Sequence, residues 1–131
     1  MGTVPLRIVV ALVALAGLTA AASPAMLAHV SGGLWEVSRS ASGAAGVRLC
    51  VADPERLVTY EHGGAACRRT VIADRADEAV VSYSCAGAGF GQTRITLLTP
   101  RSLRLDTQGI KRGEPFSYVV HARLVGRCGP R

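Results

Sequence analysis

The sequence contains no Gly-x-Ser-x-Gly, no His-Glu-x-x-His and no Cys-x-x-Cys. Three short signatures of hydrolase, zinc-protease and dithiol chemistry are therefore missing. Aromatic residues are few, with one Trp, three Tyr and two Phe, and lysine occurs once, at Lys111, beside fourteen arginines. What remains is 131 residues, 49% hydrophobic and 18% charged. That suits one small domain and disfavours a multi-domain enzyme, a polytopic membrane protein or a disordered chain.

The apolar residues concentrate at the start. Residues 1–22 carry Arg7, then the run from Ile8 to Ala16, then Ala20-Ala21-Ala22. A short basic region, an apolar core of about a dozen residues and a small-residue end make a cleavable signal peptide, with cleavage expected after Ala22. The core is shorter than the roughly 20 residues of a spanning helix, and no basic stop-transfer flank follows it. No transmembrane anchor is expected after cleavage. Residues 23–31 show no periodicity and are expected to form a flexible tail. Residues 32–131 are expected to form a single disulfide-bonded β domain.

All four cysteines, Cys50, Cys67, Cys85 and Cys128, lie beyond the signal segment. An even count in a small exported chain reads as a disulfide framework, and the spacing does not suit a metal site. Four cysteines allow three connectivities. Arg68 to Ala73 and Ala79 to Cys85 are β-rich runs around the turn-forming Asp74-Arg75-Ala76-Asp77. Folding that hairpin about Ala76 sets Cys67 opposite Cys85, Arg69 opposite Tyr83 and Val71 opposite Val81. This favours Cys67 with Cys85 and Cys50 with Cys128. The main rival is Cys50 with Cys67, around the short helix.

Elsewhere the period of two dominates. Leu34 to Ser40 and Val47 to Val51 read as strands, the second needing a bulge or an early end to reconcile Cys50 with its apolar neighbours. Asp53 to Gly63 reads as one helix, with a capping Asp, Pro54 at the first helical position and a terminal Gly. Ala86 to Gly91 reads as a glycine-broken loop. Thr93 to Leu98 and Leu103 to Thr107 are further strands. In the last run Phe116, Tyr118, Val120, Ala122, Leu124 and Cys128 share one face, which implies a buried bridge at its end. The expected fold is all-β: an antiparallel curved sheet or small barrel-like sandwich of about seven strands with one short helix and two disulfides.

Gly33-Leu34-Trp35-Glu36, Cys50 followed by Pro54-Glu55, the Cys67 to Cys85 hairpin and Gly126-Arg127-Cys128 carry a resemblance. The chain resembles the bacterial domain-of-unknown-function family 3617 over Gly33 to Cys128. That resemblance implies a small exported protein of a Gram-negative bacterium, periplasmic and β-rich with paired cysteines. It implies no activity. Pro54-Glu55 stands one residue further from Cys50 than in the family pattern, and the usual Met-Pro-Gly element is missing.

For chemistry, the three histidines are His29 in the tail, His62 at the helix end and His121 on the polar face of the last strand. His62 suits a cation at a helix carboxyl end. A hydrolase using His62 or His121 lacks a supporting motif, so a non-catalytic protein without metal or cofactor is expected. One reading is a binding module for a small apolar or amphipathic ligand around Trp35, Tyr83, Phe116 and Tyr118, with Trp35 weighed against a plain core role. The alternative is an envelope-associated interaction protein meeting anionic surfaces through scattered arginines, with Arg101, Arg104, Lys111 and Arg112 as a candidate cluster. An exported chain makes nucleic acid a poor partner despite the net charge of +6.

Overall fold

The computed structural model describes residue 2 and residues 23–63 and 65–129. The signal-peptide assignment to 1–22 lies outside the described residues. Among the described residues there are seven strands, most of which alternate in burial as the period of two requires. They are β1 (Gly33–Ser38), β2 (Val47–Val51), β3 (Cys67–Asp74), β4 (Glu78–Cys85), β5 (Gly89–Thr99), β6 (Ser102–Lys111) and β7 (Glu114–Gly126). They form one antiparallel sheet in the order β2-β1-β7-β6-β5-β4-β3. β2 and β3 are its two edges, so the sheet does not close into a barrel.

One face of this sheet is the core. Trp35 and Val37 of β1, Val120 and Ala122 of β7, Leu103 and Leu105 of β6, Ile95 of β5 and Val81 of β4 all lie on it. The chain must travel from the β2 edge to the β3 edge, and it does so across this face. The connection contains the helix α1 (Glu55–Val58), followed by a 3-10 helix, Tyr60–His62. Leu57 and Val58 seal the sheet from above. The expected single helix is thus a short helix and a 3-10 turn. Asp53 caps it as anticipated, its Oδ1 accepting the Glu55 N–H at 3.0 Å.

The buried Thr93 hydroxyl docks this strap by donating to the Val58 carbonyl at 2.7 Å, and it lies 3.0 Å from the Thr107 hydroxyl. An orphan carbonyl at the helix end is satisfied in this way.

A second strap comes from the segment expected to be a flexible tail, and here the structure differs. Residues Ala25–His29 form a 3-10 helix, and Met26, Leu27 and Val30 belong to the core cluster. The Ala25 N–H donates to Asp74 Oδ2 at 2.9 Å, fixing the segment at the far edge of the sheet. Three apolar side chains within five residues were too few to show a period, yet enough to cover an otherwise bare sheet face.

Both favoured disulfides are present: Cys50–Cys128, 78 residues apart, and Cys67–Cys85, 18 apart. The β3–β4 register pairs Cys67 with Cys85, Arg69 with Tyr83 and Val71 with Val81, before a bulge at Ile72 shifts it. No bulge is needed in β2, because Cys50 is exposed and points away from the core. The irregularity lies instead between β1 and β7, where Val125 is skipped. Cys128 follows the end of β7, so its bridge is not buried as expected.

Candidate functional site

The sequence-derived site residues divide between the two faces and the two ends of the sheet. Trp35 is 0% exposed and donates its indole N–H to the Ser31 carbonyl at 3.2 Å. It is a core anchor, closed to any ligand. Tyr83 is 3% exposed and also belongs to the packed interior. Phe116 and Tyr118 are half-buried at the β6–β7 hairpin end of the same face, with ring centroids 6.0 Å apart. The four aromatics therefore do not line one cavity.

Around Tyr83 the polar groups are paired. His62 is buried, with Nε2 3.1 Å from the Ile110 carbonyl and Nδ1 3.1 Å from the Tyr83 hydroxyl. A carbonyl only accepts, so Nε2 carries hydrogen, and Nδ1 pairs with the Tyr83 hydroxyl. His62, in the last turn of the 3-10 helix, thereby cross-links strap and sheet. Burial pushes the Tyr83 phenol above the ordinary tyrosine range. Beside it, Tyr118 donates to Glu61 Oε2, Lys111 Nζ lies 3.7 Å from Glu61 Oε1, and the Arg39 guanidinium sits 3.7 Å above the Tyr118 ring. Burial, and then the bond to the Glu61 carboxylate, raise the Tyr118 phenol strongly. Both phenols are held neutral. Both ring nitrogens of His62 are hydrogen-bonded, one to the Ile110 carbonyl of β6 and one to the Tyr83 hydroxyl of β4.

The four basic candidates are not a cluster. Arg101 lies at the β5–β6 turn, donating to the Leu124 carbonyl at 3.3 Å, whereas Lys111 and Arg112 lie at the opposite end of β6. Nine residue steps along a strand separate the ends by about 30 Å. Arg104, between them, faces Asp106 at 3.8 Å. On the same open face Arg48 and Arg123 both reach Glu36, and Arg94 reaches Glu78 at 2.7 Å. The Arg48 and Arg123 guanidiniums hold the Glu36 carboxyl below its usual range, the bond from Arg123 contributing most.

What the sequence reading passed over is the open face at the start of β5. The glycine-rich stretch is a loop only as far as Ala88, and Gly89, Phe90 and Gly91 are already strand. Their glycines answer cross-strand crowding. A Cβ on Gly91 would stand 2.5 Å from the Tyr83 hydroxyl, and one on Gly89 would collide with the Ile110 carbonyl. Small residues let the inner rings lie flat, and on the outer side they leave a groove of about 580 Å³. Its floor includes Gly91 and Gly109, and its walls include Phe90, Gln92, Gln108 and Ile110. Phe90 is 54% exposed. Of the sequence-derived ligand residues only Phe116 is in the lining, and its ring packs on the core face beside His62. Period-two alternation through Phe90 and Gln92 could have flagged this face had the glycines not been read as a turn.

Comparison with known protein families, curated proteins and solved structures gives no match.

Proposed function

We propose that this chain is a non-catalytic binding protein of an oxidising, extracytoplasmic compartment, and that it holds a small apolar or amphipathic ligand on the open face of its sheet. The observation that carries the reading is the groove around Phe90. An exposed aromatic stands there over a glycine floor, in a concavity within the size range of small-ligand sites. The two disulfides suit an oxidising compartment. The apolar character of residues 1–22 supports export, with the periplasm as the destination that the resemblance to family 3617 suggests. A non-catalytic role is supported by the absence from the sequence of the hydrolase, zinc-protease and dithiol signatures. The anionic-surface alternative is less well supported, because its four basic residues are dispersed and two of them face carboxylates.

The test is a fluorescence titration with N-phenylnaphthylamine, a neutral apolar probe, on the mature chain and on Phe90→Ala. Covering the exposed half of a phenyl ring stabilises a complex by about 1.4 kcal/mol, so the variant should bind about tenfold more weakly. Phe90 is exposed, so its loss leaves the core intact, and unchanged Trp35 emission verifies this. Equal affinity of the two proteins would remove Phe90 from the site.

A further inference from the structure

Resting on that groove reading, we propose that its ligand is an uncharged oligosaccharide. The open face is ordered in cross-strand rows by the β-ladder. Ser84, Phe90, Ile110 and Pro115 make one row, and Ser82, Gln92, Gln108 and Ser117 make the next. The first row offers an exposed phenyl ring beside an aliphatic side chain. The second is two hydroxyls flanking two amides, with Gln92, Gln108 and Ser117 exposed.

Amides and hydroxyls both donate and accept, as do the hydroxyls of a sugar. The C–H face of a pyranose is apolar and matches the phenyl ring. A plain alkyl chain would instead bury the two amides without partners, which opposes its binding.

Charge argues for neutrality. Among the described residues no ionisable side chain lines the groove; on the same face Arg94 and Asp106 pair with Glu78 and Arg104, and Arg68 stands beyond Ser84 in the Phe90 row. An ionic ligand would lose hydration there without a counter-charge in the groove lining. Length argues for more than one ring. A second hollow of about 190 Å³, bounded by Arg94 and Asp106, shares both Gln92 and Gln108 with the first. From Phe90 to Arg94 the path along β5 runs about 14 Å, and the amide row spans about the same distance across four strands.

The experiment is amide-resolved NMR titration of the mature protein with the β-1,4-linked tetramers of glucose and of N-acetylglucosamine, with N-phenylnaphthylamine as the apolar comparison. The same titrations are run on Phe90→Ala and on the double variant Gln92→Ala with Gln108→Ala, all at exposed positions. We expect at least one tetrasaccharide to shift the amides of residues 90–94 and 106–110. Its affinity should fall about tenfold or more in each variant and stay unchanged between low and high salt. Binding of N-phenylnaphthylamine alone overturns the oligosaccharide and leaves the groove reading standing. Binding of none of the three overturns both. Sugar-induced shifts elsewhere, unchanged affinity in the glutamine variant, or a steep loss with salt each overturn the proposal as well.

Discussion

Replacing Gly91 by Ala probes the contact on which the inner packing and the outer groove both depend. The added Cβ would lie 2.5 Å from the Tyr83 hydroxyl, 2.7 Å from its Cζ and 2.9 Å from the Gln108 carbonyl. The Tyr83 ring, 3% exposed, has no open side to retreat to, so either it tilts away from His62 or β5 separates from β6. Overpacking of this kind costs about 1–3 kcal/mol, and breaking the buried hydroxyl–imidazole bond adds about 1 kcal/mol. The sum, about 2–4 kcal/mol, lowers the melting temperature of a domain this size by on the order of 10–20 °C. The assay is urea unfolding followed by Trp35 emission, run as a cycle with Tyr83→Phe. In the wild-type background the loss of the hydroxyl removes a bond, whereas in the Gly91→Ala background it also relieves a clash. The two changes should therefore couple by about 1 kcal/mol or more. Gly87→Ala is the control, because its Cβ would meet nothing within 4 Å and only its positive φ of 72° opposes the change. A Gly91→Ala protein within about 0.5 kcal/mol of wild type and an additive cycle would refute the packing described.

Removing the Cys50–Cys128 bridge by paired Cys→Ser changes should cost about 4.5 kcal/mol, and removing Cys67–Cys85 about 3 kcal/mol, because the longer loop restricts the unfolded chain more. Denaturant midpoints that rank them in the reverse order would contradict that entropic account. The raised Tyr118 phenol stabilises the fold fully below the ordinary tyrosine value of about 10, and that contribution is lost as pH climbs through the folded value. Melting curves across the alkaline range should therefore fall more steeply for wild type than for Tyr118→Phe, and parallel curves would dismiss the link. Arg112 occupies a left-handed position, φ 51°, in the two-residue β6–β7 turn before Gly113. Arg112→Asn suits such a turn better and should stabilise by about 0.5–1 kcal/mol in thermal unfolding, while a drop in melting temperature would count against the turn.

Periodicity and turn chemistry are local properties, so the sequence by itself marked the seven strands, set the β3–β4 register from Cys67–Cys85 to Val71–Val81 and, through that register, favoured the two cysteine pairs over their rival. Asp53, Pro54 and Gly63 likewise marked the helical connection because capping acts within one turn. Only the tertiary structure decided that the sheet stays open and that residues 23–31 and 52–63 cross one face to bury Trp35. Covering a sheet depends on where its edges end up, which no short window of sequence contains. The groove belongs to the same class. Phe90 and Gln92 meet Gln108, Ile110 and Ser117 only through pairing of three strands. Gly89 and Gly91 resembled a loop because the side chains that demand their smallness, and the Ile110 carbonyl, reach them from other strands. Arg101 and Arg112, eleven residues apart in the chain, were separated by a straight strand that neither composition nor charge could reveal.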